Sequence, residues 1–346
     1  MIKKFQDYLK SKKIDVALFF SSANDPNYFY FTKSWAYGFL VIPANKKPFI
    51  ITNIMEAEIV EKTINMPVYT LKKKSEISEI IEDKIGPIKK IGINKYKVLI
   101  ATLDTLKAQF KAKFVDVGEE LDLIRAIKTK EEIKNIRKAC KHTDQIFSDL
   151  TKDFSFNTEE EIGNFIENQA KKRKLKLSFP TLVASGKNAS MPHHFPQGKL
   201  NKGFCIIDFG MRFNEYCADM TRTIYIGKPS KKEIETYNLL LHVQKESIKQ
   251  VKPGIKASVV YNYHLELLKE YQDNILHDLG HGVGIAIHEV PSLSSDVILK
   301  PGMVITIEPG IYFKNKLGIR IEDDVLVTNS GYEVLTKSKK ELIIIG

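Results

Sequence analysis

Five residues of the kinds that commonly bind metal ions stand in apolar stretches of the C-terminal half of the chain. They are Asp208, Asp219, His281, Glu308 and Glu322, in the strings CIIDFG, CADMTRT, LGHGVG, VITIEPG and GIRIEDD. Burying a carboxylate is costly unless it is paired or binds a cation, so apolar strands that carry acids require positive charge nearby. Four carboxylates with one imidazole suit a pair of divalent ions such as Mn, Co or Zn, whereas a structural zinc usually has thiolate ligands. The sequence therefore predicts a two-metal hydrolytic centre.

The spacing of the four acids predicts two hairpins. Asp208 and Asp219 are eleven residues apart around FGMRFNEYC, and Glu308 and Glu322 are fourteen apart around PGIYFKNKLG. Each string is typical of two short strands joined by a turn, which would bring its two carboxylates together. Because residues two apart in a strand share a face, we expect Arg320 to lie beside Glu322 and to orient it.

Each acid also has an ordinary structural interpretation. An Asp before Phe-Gly, as at Asp208, is typical of a turn, and the run Glu322-Asp323-Asp324 is typical of a solvated acidic loop. The metal centre is excluded only if every one of these alternatives holds at once.

A different metal site would use His277 and His281, which are four apart as on one helix face. A zinc-binding helix of that kind requires Glu directly after the first histidine, and here Asp278 stands there. Three glycines between residues 280 and 284 also lower the helix propensity. We therefore reject a zinc helix, and the same glycines lack the Lys-Ser/Thr pair of a phosphate-binding loop.

The length and patterning of the chain predict two domains. A chain of 346 residues exceeds what one hydrophobic core usually supports. Up to about residue 122, strand-like strings (VALFF, YGFLVIP, KPFIIT, KKIGIN, AKFVDVG) alternate with helical stretches expected at 2–13, 53–64 and 101–112. Thr129 and Glu132 then form a capping box that opens a strongly periodic helix. We place the domain boundary near Arg125, which gives domains of residues 1–125 and 126–346.

The net charge of +11 raises the question of nucleic acid as a partner. Only six of the 53 basic residues are Arg, and the lysines are scattered instead of grouped in one aromatic-rich patch. This distribution favours solvated surfaces and argues against nucleic acid binding as the main role.

Two further features bear on location. No stretch approaches a membrane span, and the N-terminal MIKKFQDYLKSKK has the pattern of an amphipathic helix without a following apolar region or cleavage site. Cys140, Cys205 and Cys217 are odd in number and widely spaced, which favours reduced thiols. We therefore expect a cytoplasmic protein that does not bind membranes.

Longer motifs resemble a known enzyme family. The strings SGKNASMPHHFP, IDFGMRFNEYCADMTRT, HDLGHGVGIAIHEVP, MVITIEPGIYF and GIRIEDDVLVT follow one another between about residues 180 and 330. They resemble the pita-bread metallopeptidases, the group of methionine aminopeptidase, Xaa-Pro aminopeptidase and prolidase, and most closely its proline-cleaving branch. The resemblance implies an α+β fold, with an α/β creatinase/prolidase-like N-terminal domain followed by a catalytic pita-bread domain with a curved antiparallel sheet. It also implies a homodimer.

The resemblance assigns a role to each of the five candidate ligands. Asp208 and Glu322 would bridge two ions, Asp219 would complete one, and His281 and Glu308 the other. Two ions about 3.5–4 Å apart can share a water, lower its pKa and polarise the scissile carbonyl. Glu308 also occupies the position at which relatives place the residue that takes and returns the proton of the nucleophile.

Two more histidines acquire catalytic roles from the resemblance. His193 in MPHHFP matches the substrate-side histidine of the family, and His288 in IAIHEVP matches the second. An imidazole can donate a hydrogen bond to the developing oxyanion or to the peptide carbonyl. Each of them taken alone is more commonly a structural histidine, and His194 has no counterpart role in the pattern.

The resulting functional prediction is a dinuclear-metal Xaa-Pro aminopeptidase acting on small peptides with proline at the second position. The alternative is an Xaa-Pro dipeptidase (prolidase), and less favoured are a non-catalytic binding protein on the same fold and a metal-free hydrolase such as creatinase. Dipeptidase relatives tend to carry a basic residue just after HExP to hold the free carboxylate of proline. Here Ser292 follows Pro291, and no Arg or Lys occurs before Lys300. We therefore expect longer peptides to be accepted.

The aromatic residues Trp35 and Tyr37 lie in the apolar string SWAYGF. They are candidates to line the substrate entrance of a partner subunit. An ordinary core position is the alternative for both.

Overall fold

The computed structural model describes residues 1–346, except the side chains of residues 23 and 74. The chain divides into two compact units, Met1–Arg125 and Ala126–Gly346. Among the described residues, no helix has the length and apolar character needed to cross a membrane.

The first unit is built on one six-stranded sheet with helices between the strands. The strands are β1 (Val16–Phe20), β2 (Phe39–Pro43), β3 (Phe49–Asn53), β4 (Val68–Leu71), β5 (Lys90–Ile93) and β6 (Lys113–Asp116). The helices are α1 (Ile2–Ser11), α2 (Pro26–Thr32), α3 (Ala57–Thr63), α4 (Ile77–Ile85), α5 (Ile100–Gln109) and α6 (Gly118–Ala126). The sheet order is β4-β3-β2-β1-β5-β6, with β1 parallel to β5 and antiparallel to β2. All five strands predicted in this region form, and β4, α2, α4 and α6 are additional.

The aromatic residues singled out in the sequence differ in their surroundings. Trp35 stacks on Phe29 with ring centroids 5.1 Å apart, as expected of a residue at the edge of the core. Tyr37 is 37% exposed. A role at a partner's substrate entrance stays a prediction for both.

Four helices cover the sheets of the second unit. They are α7 (Lys130–Lys152), α8 (Glu159–Lys172), α9 (Lys231–Gln250) and α10 (Ala257–Leu267). The predicted capping box is present, since Glu132 N donates to Thr129 Oγ1 and Thr129 N donates to the Glu132 carboxylate. A buried face of α7 and α8 packs on the sheet that carries Ile207 and Ile224.

The strands of the second unit form mostly antiparallel sheets. They are β7 (Lys176–Leu177), β8 (Leu182–Ser185), β9 (Gly203–Asp208), β10 (Met211–Phe213), β11 (Tyr216–Cys217), β12 (Thr221–Ile226), β13 (His281–Gly282), β14 (Glu289–Ser292), β15 (Val304–Ile307), β16 (Gly310–Phe313), β17 (Leu317–Arg320), β18 (Asp323–Val327), β19 (Tyr332–Val334) and β20 (Ile344–Ile345). Two sheets matter for the site: one has the order β20-β12-β9-β8 and the other the order β14-β13-β15-β18-β19. The acid-bearing segments lie at strand ends of these two sheets.

The three cysteines lie in the second unit, and all are unpaired and buried. Burial raises the pKa of Cys205 and Cys140, and it raises the pKa of Cys217 to about 11. All three are therefore neutral thiols near pH 7.

Candidate metal centre

One cavity of about 530 Å³ contains every residue that the sequence predicted for the site. The predicted residues in its lining are His193, Asp208, Asp219, His281, His288, Glu308, Arg320 and Glu322. The apolar part of the wall is formed by Phe179, Pro180, Leu182, Pro192, Phe195 and Ile287, and His277 and Asp278 complete the lining.

The pairing of β9 with β12 places the first two acids. Asp208 ends β9 opposite Thr221, the first residue of β12, and Asp219 lies just before that strand. The small hairpin β10-β11 lies between them, so the predicted strand-turn-strand pattern is present with an extra pair of strands. Gly210 is required here, because a Cβ at this position would lie 1.7 Å from the carbonyl oxygen of Ala218.

The second pair of acids lies where two hairpin ladders meet. Ile307 of β15 pairs with Asp323 of β18, and Gly310 of β16 pairs with Arg320 of β17. Glu308 and Glu322 lie in the break between these ladders. The amide of Glu322 donates to the carbonyl of Thr221 at 3.1 Å, which brings the two pairs of acids together.

His281 is fixed so that one ring nitrogen faces the acids. Its Nδ1–H donates to the carbonyl of Gly282 at 3.1 Å, and its Nε2 lies 3.3 Å from Glu308 Oε1 and 3.8 Å from Asp219 Oδ2. The preceding residue must be glycine, because a Cβ at Gly280 would lie 2.1 Å from the carbonyl oxygen of Thr306. The strand therefore approaches β15 closely enough to present the imidazole to the acids.

Burial and mutual repulsion set the pKa values of the acids. Burial, and then the carboxylates of Glu322 and Asp208, raise the pKa of Asp219 well above its usual range. Burial also raises the pKa of Glu322 and of Asp208. Burial alone would raise the pKa of Glu308 too, but the hydrogen bond and charge of His281 outweigh it and lower this pKa to about 2. The acids thus lack enough positive charge among their protein neighbours to ionise together.

The same residues fit a divalent cation. Asp219, His281 and Glu322 each offer a ligand atom, and these atoms lie within 4.8 Å of one another. Within the described part of the chain, the buried oxygens Asp208 Oδ1, Glu322 Oε1 and Asp324 Oδ1 have no hydrogen-bond partner. Buried oxygens usually have a partner, so the two that belong to cavity-lining residues, Asp208 Oδ1 and Glu322 Oε1, are what a cation site requires.

Arg320 contacts one acid of the cavity directly and a second one through a hydroxyl. Its Nη2 donates to Asp208 Oδ2 at 2.6 Å and its Nε donates to Thr221 Oγ1 at 3.0 Å. Thr221 in turn donates to Glu322 Oε2 at 2.7 Å. Arg320 therefore reaches Glu322 through Thr221, and a role in orienting Glu322 stays a prediction.

Two residues that sequence reasoning missed also belong to the site. Asp324 Oδ2 accepts hydrogen bonds from the Asp219 amide at 2.9 Å and from Cys140 Sγ at 3.3 Å. The signal in the sequence that could have identified Asp324 is its spacing of two from Glu322, which is the spacing of residues on one face of a strand. Thr221 links Arg320 to Glu322 and is marked by no sequence pattern.

The histidines of the cavity fall into different environments. The ring of His288 packs edge-on against that of His281 with centroids 4.3 Å apart, and burial, followed by the charge of His281, lowers its pKa. His193 is exposed where it lines the cavity. His277 Nε2 lies 2.8 Å from the hydroxyl of Tyr312, and burial lowers the pKa of His277.

Residues 277–280 are not helical, in agreement with the rejection of a zinc helix.

Comparison with known proteins identifies the family. Residues 134–329 match metallopeptidase family M24, which is more than half of the chain, and residues 1–127 match the Creatinase/Prolidase N-terminal domain. This chain belongs to metallopeptidase family M24. The M24 chain is thus a peptidase of a family that uses divalent metals, as the motifs predicted.

Individual relatives of this M24 peptidase match over almost its whole length. The Xaa-Pro dipeptidase of Pyrococcus furiosus is 33% identical over 351 residues, which is 99% of each chain. The Xaa-Pro dipeptidase structure from Bacillus anthracis has a TM-score of 0.93 at 31% identity, covering 99% of each chain. The X-Pro aminopeptidase structure from Thermotoga maritima has a TM-score of 0.87 at 27% identity, covering 96% of this chain and 98% of that one. The predicted fold class is confirmed.

Proposed function

We propose that this M24 peptidase is a dinuclear-metal Xaa-Pro dipeptidase, which hydrolyses the bond between a residue and a following proline. The observation that carries the proposal is the cluster of ligand atoms from Asp219, His281 and Glu322 within 4.8 Å, in a cavity where the buried oxygens Asp208 Oδ1 and Glu322 Oε1 have no hydrogen-bond partner. The names of full-length relatives favour a dipeptidase over the aminopeptidase predicted first.

The proposed ligands of the two ions are the five residues singled out in the sequence. They are Asp208, Asp219, His281, Glu308 and Glu322, and Mn, Co and Zn are the candidate metals. When bound, divalent ions would polarise the scissile carbonyl and acidify the attacking water. The presence of the whole set in one cavity supports catalysis over a binding protein on the same fold or a metal-free hydrolase.

The side chains around the centre would handle protons and orientation. Glu308, which its low pKa keeps ionised, would accept the proton of the nucleophile and return it to the leaving amine. His288, whose lowered pKa keeps it neutral near pH 7, would donate a hydrogen bond to the developing oxyanion or to the peptide carbonyl, and His193 would donate another. Arg320 would hold Asp208 in place.

The two units would then have different functional roles. We assign catalysis to residues 126–346 and the role of a creatinase/prolidase-like N-terminal domain to residues 1–125. A homodimer and a cytoplasmic location stay predictions.

An Xaa-Pro aminopeptidase is the second candidate, favoured by one wall of the cavity. Asp278 lines the cavity, and its carboxylate accepts hydrogen bonds from the hydroxyls of Ser292 and Ser294. This wall therefore presents a carboxylate backed by Ser292, the residue that stands where dipeptidase relatives tend to carry a basic side chain for the free carboxylate of the substrate.

Substrate length separates the two candidates. We expect the manganese-loaded enzyme to cleave Ala-Pro efficiently and Ala-Pro-Ala-Ala poorly, with kcat/KM as the measurement. Efficient cleavage of the tetrapeptide with little cleavage of Ala-Pro would instead establish the aminopeptidase. Ala-Ala serves as the control for the requirement for proline.

A further inference from the structure

A buried carboxylate outside the metal centre holds the segment that carries His193. Glu159, the first residue of α8, has no exposed surface. Its Oε1 accepts hydrogen bonds from Ser185 N and Oγ, both at 2.7 Å, and from Asn188 Nδ2 at 3.1 Å. Its Oε2 accepts from His194 Nε2 at 2.8 Å and from Gln197 N at 3.0 Å. One carboxylate thus binds both ends of residues 185–197.

The segment needs such an anchor because it has little regular structure of its own. Residues Gly186–Ser190 form a short 3-10 helix, and residues 191–197 are neither helix nor strand. His193 itself is exposed and makes no hydrogen bond within the described part of the chain. Its position is therefore determined by its neighbours in the chain.

The neighbours of His193 are anchored on both sides. On one side, the carbonyl of Pro192 accepts a hydrogen bond from Arg320 Nη1 at 3.4 Å. On the other side, the imidazole of His194 donates to Glu159, and only 13% of that side chain is exposed. His193 therefore lies between a contact to the metal centre and a contact to α8.

We propose that Glu159 and His194 form a positioning pair that fixes the segment 191–197 and thereby holds His193 against the cavity. Neither residue of the pair lines the cavity, so both would act through His193 and not on the substrate. The functional half of this inference rests on the proposed catalytic role of His193, while the anchoring half does not. Displacing a catalytic group by about 1 Å can cost on the order of 10² in rate. Loss of the pair should therefore lower the rate measurably if the pair sets the position of His193.

Amide hydrogen exchange of the metal-free protein tests the anchoring. In His194→Ala we expect faster exchange in peptides covering 191–197 than in the wild type, with unchanged exchange in α9. His194→Gln, whose amide can still donate to Glu159, should restore slow exchange. Glu159→Gln, which keeps the shape but removes the charge, should give an intermediate rate. Unchanged exchange in His194→Ala would overturn the proposal, and exposed His242→Ala is the matched control.

A double-mutant cycle tests the route to catalysis. We expect His194→Ala to lower kcat about tenfold when His193 is present, and less than twofold in a His193→Ala background, because the group that it positions is then absent. An equal loss in both backgrounds would show a general structural role and would contradict positioning. A wild type that cleaves no Xaa-Pro dipeptide would refute the proposed function, and the exchange result would still decide whether the pair anchors the segment.

Discussion

At the scale of single residues, the acids of the cavity differ in what balances their charge. Asp208 has the guanidinium of Arg320, and Glu308 has the imidazole of His281. Asp219 receives a hydrogen bond from no cationic side chain within the described residues and lies against other carboxylates, which explains why its pKa is raised so far. Substitution of a metal ligand and substitution of a proposed oxyanion donor should therefore have different effects on metal content and activity.

Removing a metal ligand should remove metal and activity together. His281→Ala deletes the one nitrogen of the cluster, so we expect lower bound metal per chain and no measurable hydrolysis of Ala-Pro. Metal analysis after dialysis and a peptidase assay would test this, with His242→Ala as the control. Full metal content together with full activity would exclude His281 as a ligand.

Removing a proposed oxyanion donor should lower the activity without lowering the metal content. We expect His193→Ala and His288→Ala to bind metal normally and to lose about 10² in kcat, the scale for one positioned donor. The measurement is kcat on Ala-Pro beside metal content. Loss of metal in proportion to activity would mean that these histidines are ligands instead.

At the scale of secondary-structure elements, local signals and hairpins were predictable, and contacts between segments distant in the sequence were not. The capping box at Thr129 and the strand VALFF follow from neighbouring residues, and both are present. The strand β4 escaped prediction because its residues Val68 and Tyr69 are only half-buried at the sheet edge and show no alternation. The partner of Arg320 depends on where β17 ends, which the sequence pattern does not reveal.

The helix α2 supplies a test of pH dependence away from the metal centre. Burial raises the pKa of its cap Asp25 to about 6, against the opposing hydrogen bond from the Asn27 amide. Between the ordinary pKa of 3.8 and about 6, the folded chain keeps a proton that the unfolded chain has released. Raising the pH through this window should therefore lower the free energy of unfolding, by about 3 kcal/mol from this group.

Asp25→Asn should remove that dependence and keep the helix cap, since Asn caps as well as Asp. Denaturant unfolding from about pH 4 to about pH 7 would measure the difference in unfolding free energy between the variant and the wild type. We expect the variant to gain stability relative to the wild type up to about pH 6 and to keep a constant difference above it. A difference that does not change with pH would contradict the burial of an ionisable group at this cap.

At the scale of the whole molecule, the metal centre joins strands that are far apart in the sequence. Asp208 and Asp219 belong to segments around one sheet, and His281 and Glu308 to segments around the other. Clustered carboxylates without a cation repel each other, whereas a cation that binds the folded state stabilises it. The second unit should therefore be weakened by metal removal.

Asp219→Asn should change thermal stability in opposite directions with and without metal. In the metal-free protein the variant lacks an acid whose raised pKa makes its ionised form unfavourable in the folded state, so we expect a midpoint about 2–4 °C higher for each kcal/mol of destabilisation removed. On addition of manganese the midpoint of the wild type should rise more than the midpoint of the variant. Calorimetry would measure both, with the exposed Asp273→Asn as the control. A lower midpoint for the metal-free variant would indicate that Asp219 is stabilised by its protein neighbours alone.

The burial of the three native cysteines has a practical consequence for spectroscopy. Maleimides react with thiolates at accessible sites, and Cys140, Cys205 and Cys217 offer neither accessibility nor charge near pH 7. A cysteine introduced at an exposed position, such as Tyr96→Cys in the first unit or Val259→Cys in the second, would therefore take up a fluorophore or spin label selectively in the folded protein. Labelled pairs can thus report distances between the units with every native thiol left in place.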